Sequence, residues 1–297
     1  IPMSSRVLLL AAVASLGAAS VQADSLSINF EFPAYSTGSI HGQDGWSSSG
    51  SAGMGCANYD HRVATNTYGY VDFDGQSLRM SNAVTSGCFG DQTFSKSLLS
   101  NAGESTAMGD GMTTGLRQAH FEARWQFAST VPGAEQPGVS VVASPDRGDG
   151  ARMSWVQMTD APDGLQVNFY DYQDLAPYGS DAALDPGCGA EDDFFFTNVA
   201  AGLDRTVPHE IKVTMDFLEG SRNDIVKVYV DGVLLHTGTS WEDYFRYCER
   251  NPTRPVDSVL FRTGGAAAPA TAGNGFVIDN LTLSVSVRPV RMDLRPA

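Results

Sequence analysis

Lysine is nearly missing from these 297 residues: three of the 19 cations are Lys and sixteen are Arg. Cations of either kind are few beside 34 carboxylates, and the formal net charge is −15. That balance speaks against nucleic acid and anionic membrane as partners, because both require a basic face. Cysteine is sparse, with four residues at Cys56, Cys88, Cys188 and Cys248. None are spaced C-x-x-C and no His stands near one at ligand distance, which argues against zinc. Helix signals are almost absent. Beyond residue 23 no apolar run approaches the ~20 residues a spanning helix needs, so no membrane insertion is expected. The G-x-S-x-G, H-E-x-x-H and phosphate-loop patterns are missing, and with them the chemistries they serve.

What is present begins with an address. Residues 1–23 (Ile1-Pro2, then Met3 to Ala23) read as a signal peptide: Arg6, an apolar run from Val7 to Ala19, and small-x-small Val21-Gln22-Ala23 before cleavage near Ala23. A secreted or periplasmic location follows, and an even cysteine count outside the cytosol favours disulfides. Of the three pairings, the local one joins Cys56 to Cys88 and Cys188 to Cys248, each pair within one half of the chain. With 42 % apolar residues the chain is rich enough for a packed core, which rules out wholesale disorder.

Alternation with period two dominates. Ser25 to Phe32 reads as a strand with Leu26, Ile28, Phe30 and Phe32 on one face. In Gln118 to Phe127, Ala119, Phe121, Ala123, Trp125 and Phe127 face one way, while Gln118, His120, Glu122, Arg124 and Gln126 face the other. Arg152–Met158 and Leu165–Tyr172 form a hairpin across Pro162-Asp163-Gly164, and Ile225–Val230 with Val233–His236 flank the type I′ turn Asp231-Gly232. Ile211–Leu218, Val256–Arg262 and Phe276–Val287 supply further strands. One short helix is expected near 241–247, with Ser240 as its N-cap. Many short strands with turn signals predict an all-β sandwich of two antiparallel sheets over residues 24–287, followed by a flexible tail at 288–297.

Four stretches, in this order, carry a resemblance. Ser27-Ile-Asn-Phe-Glu31-Phe opens the chain after the leader. His120-Phe-Glu-Ala-Arg124-Trp-Gln follows, then Val226-Lys-Val-Tyr-Val-Asp231-Gly232, and Gly273-Asn-Gly-Phe-Val-Ile-Asp279-Asn280-Leu closes it. Over residues 25–287 the chain resembles the concanavalin A-like lectin/glucanase superfamily, the jelly-roll sandwich that includes laminin-G-like modules. The resemblance implies that opening and closing strands pair. It also implies that an acidic residue on each, here Glu31 and Asp279, can hold a structural Ca²⁺. The E-x-D-x-(x)-E strand of laminarinase-like glucanases is absent, which argues against a classical retaining glucanase.

The polar face of 118–127 is the sharpest candidate site. His120, Glu122 and Arg124 recur at ~7 Å intervals along one strand face. If that strand lines a concave sheet, Asn168, Tyr170 and Tyr172 of the hairpin join it, and Arg152 with them. His120, Arg124 and Tyr170 are then candidate catalytic residues of a polysaccharide lyase. In that chemistry Arg and Asn neutralise a uronate carboxylate, and Tyr or His takes the C5 proton and protonates the leaving oxygen. Gln118, Glu122, Arg152, Asn168 and Tyr172 are candidate substrate-binding residues. The plain alternative is the polar outside of any antiparallel sheet. Three functions remain open: binding of extracellular polysaccharide, which leads; a lyase or atypical glycoside hydrolase in the same groove; and a non-catalytic envelope or adhesive protein. Arg147-Gly148-Asp149 is an adhesion tripeptide, but its flanks read as a turn. Asn280-Leu-Thr282 is a glycosylation sequon inside a strand. Phe194-Phe195-Phe196 reads as a strand rather than a membrane wedge. The oligomeric state is not encoded in any of these signals.

Overall fold

The computed structural model describes residues 23–48, 59–85, 91–108, 115–173, 194–248 and 253–287. Eighteen strands follow in chain order among them: β1 (Asp24–Ile28), β2 (Gly38–Ser39), β3 (Ser47–Ser48), β4 (Asp60–Thr65), β5 (Gln76–Ser81), β6 (Gln92–Phe94), β7 (Asn101–Ala102), β8 (Arg117–Gln118), β9 (His120–Ser129), β10 (Ser140–Asp146), β11 (Trp155–Ala161), β12 (Gly164–Tyr172), β13 (Phe194–Leu203), β14 (His209–Asp216), β15 (Ile225–Val230), β16 (Val233–Gly238), β17 (Ser258–Thr263) and β18 (Phe276–Ser286). A nine-stranded sheet runs β16-β15-β14-β9-β18-β5-β4-β2, with β1 also paired to β18. A seven-stranded sheet runs β13-β12-β11-β10-β17-β6-β3. The chain passes repeatedly from one sheet to the other, and every pairing within the two sheets is antiparallel. This is a jelly-roll β-sandwich, the architecture expected from the sequence.

The opening and closing strands do pair, from Asp24 opposite Val285 to Ile28 opposite Leu281. The first strand is shorter than its alternation suggested. It ends at Ile28 because Phe30 takes φ +57°, and Phe32 is then thrown outward, 78 % exposed. The Asp231-Gly232 turn has φ +50° and +77°, both signs that a type I′ turn demands. Near 241–247 one short helical stretch forms, ending in a π-wound turn at Tyr244–Cys248. Ser240 Oγ accepts the Glu242 N–H at 3.1 Å to cap it.

Between the sheets the core interleaves Phe121, Ala123, Trp125 and Phe127 of β9 with Val156 and Met158 of β11, Leu165, Val167 and Phe169 of β12, and Phe261 of β17. Trp125 Nε1 donates across the gap to Met158 Sδ at 3.4 Å. Trp46 is 2 % exposed and donates to Tyr35 Oη at 3.1 Å, so it is core. Asp171 of β12 ties the sheets at one end, accepting from Thr239 N at 2.7 Å and facing His236 Nε2 of β16 at 2.9 Å.

Some expectations fall outside the described residues: the leader at 1–22, the tail at 288–297, and Cys56, Cys88 and Cys188 with the disulfides that need them. Among the described residues no helix is long and apolar enough to cross a membrane.

Candidate functional site

The sandwich separates the residues that the sequence placed in one groove. β9 lies in the nine-stranded sheet between β14 and β18, so His120, Glu122 and Arg124 face out from that sheet. β12 lies in the seven-stranded sheet. There Leu165, Val167 and Phe169 turn to the core, and Asn168 and Tyr170 face out on the opposite side of the molecule. Two packed sheets stand ≈ 10 Å apart before side chains are added, so His120 and Arg124 cannot reach a ligand held by Tyr170. The expected catalytic trio is therefore not assembled.

On the β9 side His120, Glu122 and Arg124 are each paired with a neighbouring side chain, while Lys212, opposite Arg124, lies over the Tyr229 ring at 4.1 Å. His120 Nδ1 lies 2.7 Å from Asp216 Oδ1, and Arg124 stands 3.6 Å from both Glu122 Oε1 and Glu210 Oε2. Gln118 leaves this face altogether, because it sits 6 % exposed in β8, which pairs in parallel with β7. This is the ordinary solvated outside of an antiparallel sheet.

The outer face of the seven-stranded sheet is different. Register alone aligns a row across six strands: Gln92 (β6), Arg262 (β17), Val142 (β10), Gln157 (β11), Asn168 (β12) and Asn198 (β13). The amides are linked in series. Asn198 Nδ2 donates to Asn168 Oδ1 at 2.8 Å, Asn168 Nδ2 to Gln157 Oε1 at 3.5 Å, and Gln157 Nε2 to Ser140 Oγ at 2.7 Å. Along the row Asn198 is exposed, Gln157 and Arg262 are half-buried, and Asn168, Val142 and Gln92 are buried.

Two residues along the strands lies an aromatic patch. Trp155 opposes Tyr170, which opposes Phe196. Trp155 stacks on Trp241 at 6.0 Å and 9°, and meets Tyr170 edge-on at 6.2 Å. Phe196, in the triplet that forms the edge strand β13, remains 54 % exposed. The Arg152 and Arg262 guanidiniums both lie over the Trp155 ring, 5.3 and 5.6 Å from its centroid. The Trp155 Nε1–H is buried without an acceptor among the described residues. Tyr172, expected beside Tyr170, is instead 1 % exposed and wedged against Phe194 and Tyr244 at 4.9 and 5.6 Å. Asn168 and Tyr170 thus share one sheet face with Arg152 over Trp155 beside them, apart from the His120 and Arg124 with which they were grouped. Trp155, Gln157, Asn198, Gln92 and Arg262 were not singled out by sequence reasoning. Strand parity puts Trp155 and Gln157 on one side of β11, but periodicity does not say which strands lie beside them.

Carboxylates gather at two further places. Asp279, 1 % exposed, uses Oδ1 to accept the Asn280 N–H at 2.7 Å, while its Oδ2 is buried without a partner among the described residues. Burial, then the nearby Glu31 and Asp74 carboxylates, push Asp279 up to about 8. Glu31 Oε1 accepts Gly75 N and Gln76 N at 2.8 and 2.7 Å. An orphaned hard oxygen beside two more carboxylates is a donor set that suits a calcium ion. The adjoining sequon residue Asn280 spends its amide on Asp72 O and Gln126 Oε1, at 2.8 and 2.7 Å.

Elsewhere Glu104, Asp224 and Glu242 have carboxylate oxygens within 4.8 Å of one another. Each is already engaged, Glu104 by Arg246, Asp224 by Leu218 N and Ser240 Oγ, and Glu242 by Asn223 N and Asp224 N. Burial first, then mutual repulsion, raises the Glu242 carboxyl, and burial raises Asp224. The adhesion tripeptide is likewise closed on itself. Arg147 pairs with Asp149 at 2.7 Å and with the Met108 carbonyl, and Asp146 Oδ1 accepts the N–H groups of Gly148, Asp149 and Gly150.

No protein-family profile and no curated protein sequence matches the chain. Solved structures resemble it weakly. A β-agarase A in complex with oligoagarose shares 12 % identity at a TM-score of 0.40, over 89 % of this chain and 91 % of that one. The carbohydrate-binding module CBM66 from Bacillus subtilis shares 12 % at 0.36, over 80 % and 94 %. A sialidase shares 11 % at 0.40 over 82 % of this chain, which spans only 17 % of the sialidase's length. At such values the likenesses assign no activity.

Proposed function

We propose that this protein binds a polysaccharide on the outer face of its seven-stranded sheet. The observation that carries the reading is the register-aligned row of Gln157, Asn168 and Asn198 beside the Trp155–Tyr170–Phe196 patch. Sugars present hydroxyls that donate and accept at once, and carboxamides answer both. Their ring faces are apolar C–H surface, which aromatic side chains cover. The proposal includes export after cleavage near Ala23 and one jelly-roll domain over residues 24–287. It also includes a structural Ca²⁺ held by Glu31 and Asp279 with Asp74 nearby, its support being the unpartnered Asp279 Oδ2. Such an ion would supply charge neutralisation and tie the segment after β1 to β18.

Binding is favoured over elimination because the His and Arg expected to share one substrate with Tyr170 face the other way. The test is affinity electrophoresis of the chain against a panel of neutral and acidic polysaccharides, with an assay for unsaturated and reducing-end products. Retention without products is expected. Trp155→Ala should weaken it about tenfold or more, since aromatic anchors dominate binding energy. Products would favour an enzyme instead. Failure to bind any glycan would leave a structural or adhesive role.

A further inference from the structure

We infer that two copies of this chain join edge to edge along β13 and β16, so that their seven-stranded sheets become one continuous sheet with one glycan-binding face. The joined face rests on the reading above, whereas the pairing of the copies does not. β13 and β16 are terminal strands of their sheets and lie together on one side of the sandwich. They run Phe194–Leu203 and Val233–Gly238, and neither contains Asp, Glu, Lys, Arg or Pro. The strands at the far ends of the same sheets, β2 and β3, are two residues each. Short strands, charges and prolines keep open edges from pairing, and the β13–β16 side has none of these. Its apolar side chains stand in water instead: Phe196 is 54 % exposed, and Val233, Leu234 and Leu235 are 57, 46 and 45 % exposed. Among the described residues, the β13 backbone bonds to no strand but β12.

A second copy is the occupant because this edge complements itself. In β13 the three phenylalanines come first and Ala200-Ala201-Gly202 come last. An antiparallel overlap centred on Asn198 therefore sets each large side chain across from a small residue of the other copy, as a two-fold axis requires. Each copy carries a net charge of −15, so a strip without charge is where the two approach at least electrostatic cost. Ten residues run ~33 Å, and two sheets with their outer side chains are ~20 Å across. That is roughly 500 Å² per copy and ~1,000 Å² in total, the size a specific interface has to clear. A two-fold axis normal to the sheet keeps outward residues outward. Asn198, the exposed end of the amide row, then meets its counterpart ~5 Å away, and the two rows become continuous.

Sedimentation velocity of the exported chain across a concentration series tests the pairing. A monomer–dimer equilibrium is expected, and it should tighten as salt rises, because screening weakens the repulsion between like-charged copies. Ala201→Glu in β13 and Leu234→Glu in β16, both at exposed positions, each bury a charge in the interface. Each should raise the dimer dissociation constant about tenfold or more, with far-UV dichroism unchanged. Leu116→Glu, at a leucine 71 % exposed elsewhere, should leave the constant as it is. In affinity electrophoresis, retention by a long polysaccharide should fall about tenfold or more in the double edge variant, because two linked sites no longer bind together, while a trisaccharide competes equally with both proteins. A wild type that sediments as a monomer at every concentration would overturn the inference. So would a dimer broken by Leu116→Glu and not by the edge variants. A dimer that retains no polysaccharide would keep the pairing of copies and overturn the glycan reading together with the joined face.

Discussion

At the residue scale, the same side-chain type does opposite work according to its neighbours. Arg124 and Arg262 both sit at outward positions of a strand. Arg124 is held between two carboxylates, whereas Arg262 shares an indole with a second cation. Asp279 makes the point for acids. The sequence marked it through resemblance, but only the fold shows that one of its oxygens is buried and unpartnered. Without a metal the fold holds that carboxyl protonated near neutral pH, whereas the unfolded chain ionises it, and an amide avoids this cost of proton uptake. In metal-free solution near neutral pH, Asp279→Asn is therefore expected to raise Tm by about 2 °C or more, the shift that 1 kcal/mol produces in a domain of this size. Added calcium should raise the Tm of the wild type and not of the variant. A wild-type Tm indifferent to both calcium and EDTA would dismiss the metal site. His120, the other residue singled out by pattern, is paired with Asp216 at 2.7 Å, and His120→Ala should leave retention in affinity electrophoresis unaltered.

At the element scale, turn chemistry was readable and sheet membership was not. Pro162-Asp163-Gly164 and Asp231-Gly232 both close hairpins where expected, because positive φ restricts the residue choice locally. Their glycines are not equivalent. A Cβ on Gly232 would meet nothing within 4 Å, so Gly232→Ala should cost only the backbone strain of φ +77°, about 1 kcal/mol. A Cβ on Gly164, at φ +141°, would lie 2.6 Å from the Leu203 carbonyl of the neighbouring strand. Gly164→Ala should therefore lower the urea midpoint clearly more than Gly232→Ala does. Equal midpoints would contradict the β12–β13 packing described here. By contrast, the alternation of 118–127 fixes its two faces but is silent on its partners. β9 pairs with β14 and β18, elements remote in sequence, and that pairing moved His120 and Arg124 away from Tyr170.

At the scale of the whole molecule, the acidic excess acts through buried carboxyls and through the long-range field. Burial pushes Asp146 up to about 6 and raises Asp224 and Glu242 as well. Each holds in the folded state a proton that the unfolded chain releases near pH 4, so stability falls as pH rises through the interval between those values. Asp60 and Asp149 lie on the other side, held low by Arg79 and Arg147 against the cost of burial, and their contribution is lost as pH falls below about 4. Thermal unfolding from pH 4 to 8.5 should thus show greatest stability on the mildly acidic side, and a rise toward pH 8.5 would contradict this assignment. The field also shapes ligand capture. Below about 0.02 M salt, screening is too weak to mask a charge of −15, and a polyanion is repelled. Retention of an acidic polysaccharide should therefore rise as salt is increased from that level, and retention that only falls with salt would contradict this.

The sequence by itself determined the fold class, the hairpin turns and the inward faces, because each is written in period-two patterning or local φ requirements; the pairing of opening and closing strands was implied only by the resemblance. It also determined that any anion must find a local cationic spot on an acidic protein. Tertiary structure alone decided which outward faces share a sheet. Side-chain alternation assigns a residue to one face of its own strand, but the sheet it joins depends on pairings between strands as far apart as Gln92 and Arg262. Those pairings gathered Arg152, Trp155, Asn168, Tyr170 and Arg262 on one sheet and left His120 and Arg124 on the other.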